Sequence, residues 1–232
     1  MSNEMKETSI DSPGSLIVVA GPSGAGKSTI VQRALKKIDR LKFSISYTTR
    51  NPRSNEQNGV DYFFVSRDEF LALRDRGEFL EYAEVHGHLY GTSRSQVAET
   101  ARDGTDVILD IDVQGAEQIR RRMAEAITVF ILPPSREIVE ERLRARNLNS
   151  PEDIERRMAN ASSEVQMHRH FKYVIVNDDL GRATAALEAI IIAERHRTDR
   201  QRKIAESILE TFGGAVDVAQ SDKLRAPRKY EN

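Results

Sequence analysis

The sequence predicts an α/β fold built on a parallel β-sheet. Apolar runs of strand length occur at residues 16–20, 106–112, 127–132 and 173–177. Each run is followed by a segment in which apolar residues recur with helical spacing. Alternating strands and helices are typical of a parallel sheet with right-handed crossovers, and such sheets bind their ligands at the carboxyl ends of the strands.

Length and composition narrow the class of protein. The 232 residues suffice for one α/β domain with insertions or for two small domains. With 39% hydrophobic and 31% charged residues, we expect a packed core under a charged surface. A net charge of −1 argues against nucleic acid as a partner.

The sequence also predicts a cytoplasmic location. It contains no cysteine, which excludes disulfides, thiol catalysis and thiolate metal sites and suits a reducing compartment. No apolar run approaches membrane-spanning length, so no membrane partner is expected. The polar start of the chain lacks the apolar stretch of a secretory signal, and we expect residues 1–14 to form a flexible tail.

The strongest motif follows the first strand. Residues 21–28 fit G-x-x-x-x-G-K-[ST], the P-loop pattern, and precede a helical segment at 30–38. Glycines let the backbone N–H groups approach a polyphosphate, and the helix N-terminus adds its positive dipole. We expect Lys27 to contact the β- and γ-phosphates and the Ser28 hydroxyl to ligate Mg²⁺. The residues predicted to bind ATP phosphates are Gly21, Pro22, Ser23, Gly24, Ala25, Gly26, Lys27, Ser28 and Thr29.

The P-loop pattern predicts binding of a nucleoside triphosphate but does not define the reaction. A glycine-rich turn between strand and helix that matches by chance is the alternative. The apolar strand before the motif and the amphipathic helix after it argue against that alternative.

A sheet-rich section interrupts the α/β pattern at about residues 43–95. It contains strand-like segments at 43–47, 61–65 and 79–85, a polar loop at 48–59 and a turn at 86–88 that is followed by residues 89–92. Ser66 and Glu69 form a capping-box pattern that opens a short helix. We therefore expect an insertion into the core, which comprises about residues 15–42 and 96–197.

The second half of the chain returns to strands and helices. Helices are predicted at about 93–102, 114–123, 136–146, 151–170 and from 180 to 197 or beyond. A last helical segment is expected at 204–212, before a polar tail.

Two arginines and a tyrosine in the insertion suggest a second anion site. Arg50 and Arg53 lie on the polar loop, Ser46 precedes them and Tyr62 follows. Guanidinium groups match phosphate oxygens in a bidentate manner. A solvated, arginine-containing loop is the alternative, and this segment alone favours it.

A carboxylate and two hydroxyls suggest recognition of guanine. Guanine presents its N1–H and 2-amino donors side by side, so that one carboxylate can accept both, while hydroxyls donate to O6. Glu81 supplies the carboxylate, and Ser46 and Thr92 supply the hydroxyls. Adenine would leave the carboxylate unpaired, which disfavours its binding. An exposed strand glutamate with loop hydroxyls is the alternative.

Two further groups carry charge near the predicted ligand site. Asp110 and Asp112 lie two apart on a strand, on the same side, where they could hold Mg²⁺ through water or contact an acceptor nucleotide. A helix N-cap is the alternative for Asp112. Arg142, Arg146 and Arg157 could stabilise charge during phosphoryl transfer, and a solvated basic face is the alternative.

Taken together, these segments resemble the guanylate kinase family of P-loop nucleoside monophosphate kinases, in its bacterial form. The matching pieces are residues 21–29, 46–53, 61–65, 90–93, 109–115, 130–135 and 174–179. The resemblance covers about residues 15–197 and implies a P-loop core, a small mixed α/β GMP-binding insertion and a helical lid at about 142–160. It also implies the reaction ATP + GMP ⇌ ADP + GDP with Mg²⁺, acceptance of dGMP and a place in purine nucleotide metabolism.

The resemblance also implies a role for each site residue. Guanine is read by Ser46, Glu81 and Thr92, and the GMP phosphate is held by Arg50, Arg53, Tyr62 and Tyr90. By the same resemblance, the acceptor GMP and the water ligands of Mg²⁺ lie beside Asp110 and Asp112, and the adenine base of ATP lies near Asn177. The cations of the transfer step are Lys27, Arg50, Arg142, Arg146 and Arg157.

Two features depart from the family pattern, and two other functions remain open. The family lid reads Gly-Arg-Gly, whereas this chain has Ala145, Arg146 and Asn147. Residues 198–232 lie outside the resemblance.

A non-catalytic, phosphopeptide-binding module of this fold is the main alternative function, although its members typically degrade the P-loop. The second alternative is a kinase for another nucleoside monophosphate. Assembly into a homo-oligomer is left open.

Overall fold

The computed structural model of the chain describes residues 13–85, 87–145 and 151–213. The strands are β1 (Leu16–Ala20), β2 (Leu41–Phe43), β3 (Tyr47–Thr48), β4 (Phe63–Phe64), β5 (Phe79–Val85), β6 (His88–Ser93), β7 (Asp106–Asp110), β8 (Ile127–Leu132) and β9 (Tyr173–Val176). The helices are α1 (Lys27–Leu35), α2 (Arg67–Asp75), α3 (Arg94–Ala101), α4 (Val113–Arg122), α5 (Arg136–Ala145), α6 (Pro151–Gln166), α7 (Leu180–Arg195) and α8 (Thr198–Thr211). None of the described helices is both long and apolar enough to cross a bilayer.

A five-stranded parallel sheet forms the centre of the fold. Its strand order is β2-β7-β1-β8-β9, and every neighbouring pair is parallel. Ile17 and Val19 on β1 pack on one face with residues of α1 and α7, whereas Val18 packs on the other face with residues of α3 and α4. Burial on both faces explains why β1 is a continuous apolar run. The predicted α/β class and parallel sheet are confirmed.

A second sheet, of four strands in the order β4-β3-β6-β5, forms within the middle section. Phe70 of α2 packs with Phe79 and Leu89 of this sheet in a small apolar cluster. The predicted strand at 43–47 is wrong as a single element. The Ser44 N–H still donates to Ile108 of the core sheet, and the Ser46 carbonyl already accepts from Phe63 of the second sheet. Alternation of apolar residues does not reveal that the chain passes from one sheet to another.

Local capping sets several helix boundaries. The predicted capping box of Ser66 and Glu69 is present at α2. Asp112 caps α4 by accepting from the Gly115 N–H, so that β7 ends at Asp110 and the predicted strand at 106–112 is too long. The helix predicted from 180 to 197 or beyond ends at Arg195 as α7, and α8 begins at Thr198, six residues before the predicted start at 204.

Candidate active site

A cleft of about 340 Å³ lies where the P-loop, the second sheet and α6 meet. The P-loop contributes Gly21, Ser23, Lys27 and Ser28, and the end of β7 and the start of α4 contribute Asp110, Ile111, Asp112 and Gln114. The second sheet and the loop beside it contribute Ser46, Tyr62, Glu81, Glu84, Val85 and Tyr90, and α6 contributes Arg157, Asn160 and Glu164. Residues far apart in sequence therefore face one space at the carboxyl ends of the parallel strands, as this type of sheet predicts.

The P-loop wraps around the N-terminus of α1. Gly24 and Gly26 have φ values of 82° and 88°, in the left-handed region that side chains other than glycine disfavour. The Lys27 ammonium donates to the carbonyl of Gly21 at 2.7 Å and to that of Pro22 at 3.3 Å. Lys27 therefore lies over its own loop, with its charge in the cleft where phosphates would bind.

Ser28 and Asp110 meet at the base of the cleft. The Ser28 hydroxyl donates to Asp110 Oδ2 at 2.6 Å, which joins α1 to the end of β7. Both groups are hard oxygen ligands of the kind that Mg²⁺ prefers. The described part of the chain contains no group of three or more His, Cys, Asp or Glu residues that could hold a metal ion. This donor set fits an ion that is held mainly by nucleotide phosphates and water.

Asn177 and Arg142 support the P-loop from outside the cleft. Asn177 is buried, and its Nδ2 donates to the carbonyl of Ala25 at 2.7 Å. Arg142 lies within 3.4 Å of the carbonyls of Gly24 and Ala25, and its Nη2 donates to the carbonyl of Asn177 at 3.1 Å. A Cβ at Gly26 would lie 2.3 Å from Asn177 Nδ2, so this close approach requires glycine.

The predicted lid arginines divide into two groups. Arg157 of α6 lines the cleft, and its Nη1 donates to the Ser23 hydroxyl at 3.2 Å. Arg142 is directed at backbone carbonyls of the P-loop and does not line the cleft. Arg146 and the neighbouring Asn147 lie outside the described residues.

Arg50 is held in place by a partner that the sequence analysis missed. Its Nη1 and Nη2 donate to Glu56 Oε2 and Oε1, both at 2.9 Å, and its guanidinium lies 5.4 Å from the ring centre of Tyr62. The hydrogen bonds that Arg50 donates to Glu56 raise the pKa of Arg50 and lower the pKa of Glu56. Arg53 is 3.8 Å from the same carboxylate, with 60% of its side chain exposed. Neither arginine lines the cleft directly.

Two tyrosines form the wall of the cleft nearest to Arg50. Tyr62 and Tyr90 pack edge to face, with ring centres 6.0 Å apart. Burial raises the pKa of Tyr62, and the neighbouring Tyr90 and Asp110 raise it further. Tyr62 therefore keeps its phenolic proton and can donate a hydrogen bond into the cleft.

Glu81 and Thr92 form a buried pair across the second sheet. Glu81 is only 3% exposed, and Thr92 Oγ1 donates to its Oε1 at 2.6 Å. Burial raises the pKa of Glu81 to about 7, and the hydrogen bond from Thr92 opposes this while the charge of Asp112 adds to it. The alternative of an exposed strand glutamate is wrong. Ser46 lines the same cleft, whereas Thr92 lies behind Glu81.

Asp110 and Asp112 both line the cleft, but for a different reason than predicted. Because β7 ends at Asp110, the alternation of a strand does not place Asp112. Asp112 is the N-cap of α4, as the alternative interpretation had it, and burial raises the pKa of its carboxyl against the opposing hydrogen bonds from Gly115 and Gln114. Asp112 therefore both caps α4 and lines the cleft.

Sequence reasoning missed two residues of α6 that face the cleft. Asn160 and Glu164 follow Arg157 by three and seven residues, which places all three on one face of the helix. Burial raises the pKa of Glu164, and the charge of Lys27 opposes this. The helical spacing from Arg157 was the signal that could have found them.

Comparisons with known proteins agree with this geometry. A family model described as guanylate kinase matches residues 14–194. Guanylate kinase of Alkalilimnicola ehrlichii is 50% identical over 202 residues, covering 87% of this chain and all of the relative. That of Cupriavidus metallidurans is 47% identical over 211 residues, covering 90% of this chain and 98% of the relative. The crystal structure of guanylate kinase from Anaplasma phagocytophilum covers 85% of this chain and 96% of its own, with 33% identity and a TM-score of 0.71.

Proposed function

The chain belongs to the guanylate kinase family, and we propose that it transfers the γ-phosphate of ATP to GMP, giving ADP and GDP. One observation carries the proposal most directly. The buried carboxylate of Glu81 faces the same cleft as Lys27 of the P-loop. This arrangement supports a guanine site and a triphosphate site within one cavity of about 340 Å³.

Guanine recognition rests on Glu81. Its Oε1 accepts from Thr92, which orients the carboxylate and leaves acceptor positions for the N1–H and 2-amino donors of guanine. The Ser46 hydroxyl lines the same cleft and is assigned to O6. Adenine lacks both donors and would leave a buried carboxylate unpaired. The proposal includes dGMP as a second acceptor, as the family resemblance implies.

The GMP phosphate is assigned to Arg50, Arg53, Tyr62 and Tyr90. Glu56 supports this assignment because it holds the Arg50 guanidinium beside the ring of Tyr62, next to the cleft. A cation that is already oriented loses less side-chain entropy when a phosphate binds. Arg53 is exposed and would have to turn towards the ligand.

The transfer step needs positioning and charge stabilisation more than proton transfer. An ionised oxygen of the GMP phosphate attacks the γ-phosphorus of ATP, the bond from that phosphorus to the β,γ-bridging oxygen breaks, and ADP leaves. Lys27 and Arg157 lie in the cleft and are assigned to the oxygens of the transferring group. Arg142 would reach it by exchanging its carbonyl contacts on the P-loop for phosphate oxygens. Arg146 keeps its predicted role, and Asn177 is assigned to the adenine side.

Mg²⁺ with ATP completes the proposal. The Ser28 hydroxyl and the Asp110 carboxylate, 2.6 Å apart, would hold the ion, with Asp112 as a contact through water. When bound, Mg²⁺ neutralises charge on the transferring phosphates. Closure of residues 142–160 over the cleft would exclude water from the reaction.

Localisation and assembly form a separate part of the proposal. We place the enzyme in the cytoplasm, which the complete absence of cysteine supports. Homo-oligomer formation is left open, and the mass in solution would decide it. The division into a core, a GMP-binding insertion at 43–95 and a lid at 142–160 likewise stays a proposal, supported by the separate four-stranded sheet within the insertion.

The experiment that tests the activity is ADP release measured with ATP, Mg²⁺ and one monophosphate at a time. We expect turnover with GMP and dGMP and none with AMP, CMP or UMP. Turnover with a different monophosphate would reassign the acceptor. Folded protein that turns over no monophosphate would instead support the phosphopeptide-binding module.

A further inference from the structure

Helix α4 lies against β5 beside the residue assigned to guanine. Gly115, Gln118 and Arg122 are spaced by three and four residues and therefore share one face of α4. Each of them contacts β5 at Glu81 or at one of its two chain neighbours. This face, which we call the α4 clamp, is one of the places where a helix of the core contacts the second sheet.

Gly115 leaves the space that the Glu81 carboxylate occupies. A Cβ at Gly115 would lie 2.3 Å from Glu81 Oε2 and 2.9 Å from Cδ, and real Cβ atoms essentially never approach closer than 3.0 Å. Glycine is a poor choice within a helix, since alanine there is more favourable. Helix α4 thus carries an unfavourable residue at the one position where the carboxylate lies against its first turn.

Gln118 and Arg122 hold the backbone on either side of Glu81. Gln118 accepts from the Tyr82 N–H at 3.3 Å and donates to the Tyr82 carbonyl at 2.6 Å, as a neighbouring strand would. Arg122 Nη1 donates to the Leu80 carbonyl at 2.8 Å. Because β5 is the edge strand of this sheet in the part of the chain that the structure describes, these backbone groups have no partner strand there on that side.

We propose that the α4 clamp positions the Glu81 carboxylate and thereby sets discrimination between guanine and a purine that lacks the 2-amino group. The proposal rests on the assignment of Glu81 under the proposed function. Accepting two adjacent donors requires both carboxylate oxygens to be placed within a few tenths of an ångström. Gly115, Gln118 and Arg122 are positioning residues, since they act through Glu81.

The decisive variant is Gly115→Ala. Its Cβ would displace Glu81 Oε2 by about 0.7 Å, the difference between 3.0 and 2.3 Å, while alanine itself favours the helix. The readout is kcat/KM for GMP divided by kcat/KM for IMP, whose base lacks the 2-amino donor. We expect this ratio to fall about tenfold through a higher KM for GMP, with the KM for ATP unchanged.

Gly181→Ala is the matched control. Gly181 lies in the first turn of α7, behind an aspartate N-cap as Gly115 does, and a Cβ there would meet only Asp179 Oδ1, at 3.2 Å. This variant should keep the GMP-to-IMP ratio of the wild type. A wild-type ratio in folded Gly115→Ala overturns the proposal.

A second variant tests the clamp without adding an atom near the carboxylate. Gln118→Ala removes both bonds to Tyr82 and should also lower the ratio, whereas Arg121→Ala should not, because that side chain is 74% exposed and pairs with Glu117 of its own helix. If Gly115→Ala does not fold, Gln118→Ala decides alone, and an unchanged ratio overturns the proposal.

The wild-type protein separates failure of this inference from failure of the proposed function. If the wild type uses GMP and IMP equally well, the assignment of Glu81 is wrong and the clamp proposal falls with it. If the wild type prefers GMP and both clamp variants keep that preference, Glu81 is retained and the clamp alone is rejected.

Discussion

Thr92 Oγ1 donates a 2.6 Å hydrogen bond to Glu81 Oε1 across the β5–β6 ladder, where the two residues are direct partners. Both side chains are almost completely buried. The bond orients a carboxylate whose ionisation is costly in this place, since burial raises its pKa to about 7. Because the Glu81 carboxylate is fixed in orientation and has a pKa near neutrality, we expect guanine binding at this pair to depend on pH.

Glu81→Gln should remove most of the preference for GMP. An amide at this position presents one acceptor and one donor group, and the donor opposes a donor of guanine. We expect kcat/KM for GMP to fall about 100-fold with the KM for ATP unchanged. Steady-state kinetics with each substrate varied in turn provides the measurement, and an unchanged preference for GMP over AMP would remove Glu81 from the base site.

GMP affinity should decline as the pH falls below about 7. Binding of guanine uses the ionised carboxylate, and the pKa of Glu81 near 7 means that the proton returns in this range. The dissociation constant of GMP should rise by up to about tenfold per pH unit below that pKa.

The phosphate of GMP titrates as well, with a pKa of about 6, so a control is needed. In the Glu81→Gln variant, only the pH dependence that comes from the GMP phosphate should remain in the dissociation constant of GMP. Calorimetric titration of both proteins between pH 5 and 8 makes the comparison. Identical pH profiles would mean that Glu81 does not titrate on binding.

Glu81→Gln should also stabilise the unliganded protein at high pH. A carboxyl whose folded pKa is raised contributes stability below its unfolded pKa, about 4.5, and loses that contribution as pH rises through its folded pKa of about 7. At pH 8 the wild type must bury an ionised carboxylate, which the amide avoids, a difference of up to about 3 kcal/mol. Urea unfolding at pH 5 and pH 8 is the test, and a gain that does not increase with pH would argue against a raised pKa.

Lys27→Ala should abolish turnover and leave the fold intact. The Lys27 ammonium bonds only carbonyls of its own loop among the contacts that the structure describes, so its removal disturbs little packing. Activity should fall at least 1,000-fold, on the order of a lost transition-state cation. Lys37→Ala, which removes an exposed ammonium paired with the partly buried Glu188, is the control. A near-normal rate in Lys27→Ala with an unchanged circular dichroism spectrum would refute the role of Lys27.

Glu56→Ala should weaken the binding of GMP and leave the binding of ATP unchanged. Loss of its two bonds to Arg50 leaves that guanidinium free to leave the ring of Tyr62. We expect the KM for GMP to rise about tenfold while the KM for ATP stays the same. Equal effects on both substrates would show instead that the whole loop is disturbed.

Several elements could be predicted because their signals are local. The P-loop is a contiguous pattern, and the capping box of Ser66 and Glu69 needs only four residues. By contrast, Glu56 reads as one more polar residue in a loop until the structure places it against Arg50. Gly115 reads as a helix weakness until the Glu81 carboxylate is found against it.

Residue order was enough to predict the α/β class, the parallel sheet and the phosphate-binding loop, because periodicity and short motifs depend on neighbours along the chain. The folded chain was needed to show that the segment predicted as one strand at 43–47 passes between two sheets and that Glu81 is buried. It alone placed Asn160 and Glu164 of α6 in the cleft. Burial, pKa and access depend on residues that are distant in the sequence and meet only when the chain has folded.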